Sequence, residues 1–339
     1  MLDKKYTKGI VVPNNYKTIS TNIIKAPLPN KIVLSLQQQY TNNQAIPCVK
    51  IGEKVLTGQI IATPQDSIGT PVHSSISGTV TAINNQVIPH KSGLKIKSIT
   101  IESDGKDNWI EKSNYVDNFL NKDKLELINC IKNAAIVGLG GAGFPTHAKL
   151  ENIKNCKTII INGSECEPGI MCDDALMQNY AKEILGGIEI LLHITGAKNV
   201  IIAIEDDKKK SFEILSKYNN NDVVKIKKIP TKYTSGSEKI LIKHLLGTEI
   251  QSGKFPVNFG ILCQNIATTK AIFDAITIKK PLISRIITVT GSSIDNPTNY
   301  EVRIGSSFSH IINLSKPNTD NYDVRMGGMM MGIDIKDTK

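Results

Sequence analysis

The sequence predicts an α/β multidomain protein, on three observations. Residues 31–105 carry short aliphatic runs separated by turn glycines, the pattern of a small all-β module. Residues 115–280 alternate helical periodicity with continuous β-branched runs, the pattern of helices layered on a parallel sheet. Residues 281–318 return to strand-like runs with one short helical stretch. A length of 339 residues exceeds the usual single domain and accommodates all three, with 1–30 as an extended leading segment and 319–339 as a tail.

Composition narrows the function classes. With 40% apolar residues, 21% charged and only 5% aromatic, the chain suits aliphatic cores in a globular protein, and no run approaches the ~20 apolar residues that span a bilayer. The N-terminus, MLDKKYTKGIVVP, has neither an apolar core segment nor a small-residue cleavage site, so it does not read as a secretion leader, and a cytoplasmic chain is expected. The net charge of +10 is scattered, and its one dense cluster, Lys208-Lys209-Lys210, directly follows Glu205, Asp206 and Asp207. With little aromatic interleaving, that pattern does not favour nucleic acid; a compositional bias towards Lys, Asn and Ile spread over solvated faces is the better reading, with docking on a membrane complex or lipid surface left open. The six cysteines show no C-x-x-C spacing, so buried thiols are expected rather than disulfides, zinc sites or iron–sulfur sites.

In the N-terminal third, Val49, Ile51, Val55, Ile60 and Ile61 alternate with Gly52, Gly58, Gly69 and Gly78 before Thr79-Val80-Thr81. The punctuation resembles the barrel-sandwich fold of biotinyl and lipoyl carrier domains. A carrier needs an exposed lysine at the tip of its central hairpin. The corresponding stretch, Gln65-Asp66-Ser67-Ile68-Gly69-Thr70, has none, so a structural or docking module is expected. His73, alone among serines, reads as a turn or core histidine.

The middle of the chain carries the chemistry. Residues 122–137 read as an amphipathic helix followed by a short apolar run; then comes GLGGAGFPT (138–146), a helix through His147 to Ile153, and the buried-strand pattern TIII (158–161). The phrase NGSECEPG follows, then one long helical pattern from Asp173 to about Ile194, stopped by Gly196, and a second buried strand, NVIIAI (199–204). Asp173 and Asp174 would sit at that helix's N-terminus, where the macrodipole favours carboxylates.

Gly138, Gly140 and Gly143 satisfy G-x-G-x-x-G, and Glu165 lies near the position where a dinucleotide fold places its ribose-binding acid. Against a standard Rossmann turn, Phe144-Pro145 falls where the phosphate-binding helix should propagate. Two glutamates in NGSECEPG also exceed what one ribose contact needs. A Rossmann-like site for a flavin and a nicotinamide together fits these residues better.

GLGGAGFPTHAKL (138–150) followed by INGSECEPGIMCDDALM (161–177) resembles the FMN- and NADH-binding flavin subunit of respiratory complex I. KYTSGSEKILI (232–242), CQNIATTKAI (263–272), PLISRIITVTGSSIDNPTNYEVRIGSSFSHII (281–312) and MGGMMMG (326–332) resemble, in the same order, the RnfC/RsxC family of the Rnf (Rsx) ion-translocating electron-transport complexes. The resemblance covers nearly the whole chain. It implies an N-terminal barrel-sandwich, a central Rossmann-like FMN/NADH domain and a C-terminal β-grasp module of the SLBB type.

By the same resemblance, Gly138, Gly140, Gly141 and Gly143 let backbone N–H groups approach FMN, and Lys149 reaches an anionic part of it. Phe144 would stack on the nicotinamide side. Asn162, Ser164 and Glu165 would bond flavin or ribityl groups, with Glu167 at the surface shared by FMN and NADH. Tyr233, Gly236, Ser237 and Glu238 would form a second flavin-contacting segment, and Asn265 with Thr268 a third. Leu139 stands where the complex I relatives carry arginine, so Lys149 and backbone donors would balance the phosphate charge.

The implied function is that of a peripheral subunit on the cytoplasmic face of the bacterial inner membrane. It would pass electrons between NADH and a ferredoxin-type partner, within a complex that couples this transfer to ion translocation. No side chain need be a nucleophile or general base, because the flavin carries the redox chemistry. The resemblance also implies two [4Fe–4S] clusters, whose cysteines would lie beyond Lys339; a truncated chain is expected, with no metal ligands of its own. MGGMMMG reads as a packing or interdomain segment. The alternative is an assembly or docking subunit that has lost its flavin.

Overall fold

The computed structural model describes residues 9–12, 20–39, 43–90, 93–111 and 119–338. Most of the N-terminal stretch read for a leader lies outside them. The first strand, β1 (Ile23–Lys25), belongs to a later module. The all-β module follows, built from β2 (Lys31–Ser35), β3 (Ile46–Pro47), β4 (Lys54–Val55), β5 (Ile60–Thr63), β6 (Val72–His73), β7 (Gly78–Val87) and β8 (Lys95–Ser103). They form two sheets, β2-β8-β7-β4 and β3-β5-β6. Alternating inward residues such as Ile32, Leu34, Val80, Ile99 and Ile101 fill the space between them.

The tip at residues 65–70 exposes Gln65, Ser67 and Ile68, but it is anchored at its end. Thr70 is buried, and the Ser67 carbonyl lies 3.2 Å from Nε2 of His147 in the neighbouring domain. His73 bridges the same boundary, with Nδ1 2.9 Å from the Gly58 carbonyl and Nε2 2.7 Å from that of Asn133. The tip is thus held in place against a second domain, and a swinging arm has no counterpart in this geometry.

The central domain runs α1 (Lys124–Asn133), α2 (Thr146–Asn152), β9 (Thr158–Gly163), α3 (Cys172–Asn179), α4 (Ala181–Thr195), β10 (Asn199–Glu205), α5 (Lys209–Tyr218), β11 (Val224–Ile229), α6 (Glu238–Leu246), β12 (Ile261–Asn265) and α7 (Ile266–Thr277). Its sheet has the order β11-β10-β9-β12 and is parallel throughout. Ile159, Ile161, Val200, Ile202, Ile204 and Leu262 face one core, shared with residues of α1, α4 and α7. Ile160, Ala203, Ile261 and Cys263 face the other, shared with Leu241 and Ile242 of α6. Covering both faces explains the unbroken β-branched runs. Each fully buried isoleucine contributes about 1.5–3 kcal/mol of transfer free energy.

Two details differ from the sequence reading. The long helix expected over 173–194 is broken at Tyr180, whose φ of −130° and ψ of 34° lie outside the helical region. No glycine or proline marks this break. Tyr180 instead turns its ring beneath the Lys270 ammonium, 4.6 Å from its centroid, a tertiary contact invisible to periodicity. The apolar run before the glycines, in turn, is not a sheet strand. Val137 makes only an isolated bridge to Pro145.

The remaining elements are β13 (Ser284–Val289), β14 (Thr298–Arg303), α8 (Phe308–Ser315), β15 (Val324–Met326) and β16 (Ile333–Ile335). β13 and β14 are antiparallel, and β1 adds to β14 in parallel, so the leading segment completes this sheet. Arg303 ties the module to the β-sandwich through Asp107 at 2.5 Å and the Ser75 carbonyl at 3.1 Å.

Candidate functional site

From β9 the chain winds outward through β10 and β11, then returns to the other side of β9 as β12. A crevice opens at such a switch point, beyond the carboxyl ends of the strands. Asn162 and Asn265 are register partners there. Asn162 donates to the Gly236 carbonyl at 2.8 Å and accepts from Ser164 N at 3.1 Å, joining two of the segments singled out in the sequence. The Asn265 side-chain Oδ1 caps α7 through Ala267 N at 2.8 Å and Thr268 N at 3.3 Å, while its Nδ2 donates to Asp173 at 2.6 Å.

The glycine loop closes on itself before α2 begins: Gly138 N donates to the Phe144 carbonyl and Gly143 N to that of Gly138. This turn replaces the strand–turn–helix of a standard Rossmann fingerprint. It sits over the switch point, with Leu139 N donating to Thr268 Oγ1 at 2.9 Å and Gly140 packed so that a Cβ there would lie 3.3 Å from that of Asn265. Gly141, at φ 104°, adopts a conformation that side chains disfavour.

Glu165 caps α3. Its Oε1 accepts from Asp173 N and from the Cys172 thiol, both at 3.0 Å. Burial, and then the Asp173 carboxylate, push Glu165 up; burial likewise raises Asp173, against the Asn265 hydrogen bond and the Arg285 charge. Burial and Glu165 push the Cys172 thiol well above its ordinary value. Glu165, Cys172 and Asp173 present ligand-type atoms within 4.8 Å of one another, but the thiol is a protonated donor, so they read as a hydrogen-bonded cluster. Behind them Glu205, 1% exposed, accepts from Glu165 N at 3.2 Å, and burial pushes it up to about 7.

A cavity of about 1430 Å³ spans this crevice and the inner side of the β13–β14 module. Gly140, Gly141, Asn162, Ser164, Glu165, Glu167, Gly236 and Asn265 line it, together with Asp173 and Arg285. Tyr233 lines a smaller neighbouring cavity of about 460 Å³, across the loop that bears Glu165 and Glu167. Desolvation and then the Glu167 carboxylate raise its phenol above the ordinary value. Gly138, Gly143, Phe144, Lys149, Ser237, Glu238 and Thr268 do not line the large cavity. Thr268 supports the glycine loop from below, and Ser237 precedes α6. Lys149 is engaged by Glu238 at 3.4 Å and the Cys263 carbonyl at 3.2 Å.

Arg285 is the residue that sequence reasoning missed. From β13 it donates to the Leu139 carbonyl at 2.5 Å, bringing a guanidinium to the glycine loop from a distant segment. The only sequence signal was the unbalanced charge left by Leu139.

The crevice fits a flavin nucleotide. Ser164 Oγ is buried without a partner, and a Cβ at Gly236 would lie 2.3 Å from it, so the wall admits no larger residue. The N–H groups of Gly140, Gly141 and Ala142 make no protein hydrogen bond among the described residues. Unspent donors beside a guanidinium suit a ligand with carbonyls and an anionic group, and FMN carries both.

Comparison with known proteins agrees with this chemistry. The family model described as the Nuo51 FMN-binding domain matches residues 131–274, and that of the RnfC barrel sandwich hybrid domain matches residues 4–106. The C subunit of the ion-translocating oxidoreductase complex of Pseudomonas aeruginosa is 39% identical over 97% of this chain and 43% of its own length. That of Yersinia pestis is 39% identical over 91% and 50%, and that of Serratia proteamaculans 38% identical over 96% and 47%. The chain thus spans about half the length of the curated relatives it matches. A crystal structure of an NAD+-reducing [NiFe]-hydrogenase in its air-oxidized state shares the fold at a TM-score of 0.53 and 20% identity, over 61% of this chain and 41% of that one. Among the described residues no helix is long and apolar enough to cross a membrane. By its two domain matches and its identity across nearly its whole length, the chain belongs to the RnfC family of ion-translocating oxidoreductase complexes, and carries that family's barrel-sandwich and FMN-binding domains.

Proposed function

We propose that this chain binds FMN at the β9/β12 switch point and receives reducing equivalents from NADH there, as the peripheral electron-input subunit of an ion-translocating complex. The observation that carries this reading is the convergence of Gly140, Asn162, Ser164, Glu165, Gly236 and Asn265, from four separate segments, on one cavity. When bound, FMN would supply acceptance of a hydride and release of single electrons.

The protein's own part is positioning and charge. Gly140 and Gly141 would admit the ring system closely, and Asn162, Ser164 and Asn265 would meet its polar edge. Arg285 would balance negative charge in the role expected of Lys149. Glu165 and Asp173, neutral over a wider pH range than ordinary carboxylates, would limit repulsion against added electrons. Glu167 would face the nicotinamide nucleotide. The parallel sheet with its closed glycine turn supports a Rossmann-like description, and β13, β14 and α8 support the β-grasp reading of 281–318.

In the longer relatives' context, electrons would continue to iron–sulfur clusters and to a ferredoxin-type partner, at the cytoplasmic face of the membrane. Titration of the flavin-free chain with FMN, followed by flavin fluorescence or calorimetry, tests the first step. One FMN per chain is expected. A chain that takes up none would instead have the docking role.

A further inference from the structure

The C-terminal hairpin reaches the site. β15 and β16 pair in register from Val324↔Ile335 to Met326↔Ile333, and their connection presents the segment MGGMMMG. Arg325 braces the turn, with Nε 2.7 Å from Asp334 and a guanidinium nitrogen 3.3 Å from the Met329 carbonyl. Gly332 N donates to the Gly328 carbonyl at 2.7 Å, closing the tip.

The tip ends on Glu167. Met330 N donates to Glu167 Oε2 at 2.9 Å, and Gly328 lies flat against the same side chain. A Cβ at Gly328 would sit 1.8 Å from Oε2 and 2.5 Å from the Glu167 Cβ. Only glycine fits that approach without moving the acid. Met326, Gly328, Met329 and Met331 also line the large cavity, and Met329, Met330 and Met331 remain 54%, 49% and 74% exposed. Left at a cavity wall, flexible thioethers can settle against a flat aromatic ring.

We propose that this hairpin tip is a positioning element for the nicotinamide nucleotide: Gly328 and the Met330 N–H fix the Glu167 carboxylate at the cavity wall, where it meets the incoming ligand. The proposal rests on the FMN and NADH reading above. A carboxylate offers about four acceptor sites, and the tip uses one, leaving others for ligand hydroxyl or amide donors. The tip thereby ties the C-terminal hairpin to the Glu167 side chain of the flavin domain.

The test uses the full chain reconstituted with FMN. Gly328→Ala drives the Glu167 carboxylate away and should raise KM for NADH about tenfold, which corresponds to ~1.4 kcal/mol, while FMN content and kcat change little. Glu167→Asp alone leaves Gly328 in place but withdraws the carboxylate by one methylene, and should also raise KM for NADH. Met330→Pro replaces the N–H that meets Glu167 Oε2 with its ring Cδ, which removes the donor and crowds the same oxygen, and should raise KM in the same direction. Amide exchange at Met330 should be slow in the unaltered chain and fast in Gly328→Ala. An unaltered KM in Gly328→Ala or Met330→Pro, with flavin still reduced by NADH, overturns this proposal alone. Absence of FMN binding by the unaltered chain overturns the functional reading, and this proposal with it.

Discussion

Asn265 and Asp173 meet at 2.6 Å across the mouth of the crevice, and the same asparagine caps α7 with its side-chain Oδ1. One side chain therefore ends a strand, starts a helix and holds an acid in the cavity wall. Asn265→Ala should destabilise the chain by about 1 kcal/mol through the lost cap alone. Asn265→Asp keeps the cap but sets a second carboxylate against Asp173, so its destabilisation should be larger at pH 8 than at pH 5. Urea denaturation at the two pH values checks both; an equal loss at each would mean that the acid pair is not coupled through this contact.

Glu205 supports the same loop from behind. Its carboxyl is pushed from 4.5 up to about 7 by burial, so between those values the folded state binds more protons than the unfolded state. Its contribution to stability therefore falls as pH rises through that window and stays low above it. Glu205→Gln retains an acceptor for Glu165 N without the charge. It should stabilise the chain at pH 8, by at most about 3 kcal/mol at ~1.4 kcal/mol per pH unit, and change little at pH 4. Denaturation midpoints at the two pH values decide it, and a loss of stability at pH 8 would contradict the sign.

Arg285 stands at the glycine loop through the Leu139 carbonyl. Arg285→Gln should weaken FMN binding about tenfold, the scale of one charge-assisted hydrogen bond, and flatten its dependence on salt. Arg285→Lys should recover only part, because a point charge does not reproduce the planar fork. FMN titrations at low and high salt read both effects. If Lys149→Gln produced the loss and Arg285→Gln did not, phosphate compensation would belong to Lys149 after all.

Gly187 marks where α4 and α7 touch. A Cβ there would lie 2.2 Å from the Thr269 carbonyl oxygen, a backbone atom with little room to retreat. Gly187→Ala should cost about 1–3 kcal/mol from overpacking. FMN affinity of the folded fraction should stay unchanged, which thermal unfolding and FMN titration together check.

Local chemistry made much of this site legible in the sequence. The runs TIII and NVIIAI revealed their strands because a parallel sheet covered on both faces demands continuous apolar residues. Glu165 stood out by its spacing from the glycines, whereas Asn162, Ser164 and Gly236 entered only through the family resemblance. What escaped notice depends on distant partners. Tyr180 breaks a helix for a contact with Lys270, β1 crosses most of the chain to reach β14, and Arg285 arrives from another module. The methionine segment was read as packing, and only its contact with Glu167 shows where it packs.

The most direct test of the account is an anaerobic NADH titration of the FMN-reconstituted chain, followed by flavin absorbance. The account predicts stoichiometric bleaching of the flavin, with Glu167→Gln slowing reduction while FMN content stays largely intact. A chain that binds FMN yet keeps its oxidised spectrum in excess NADH would contradict it.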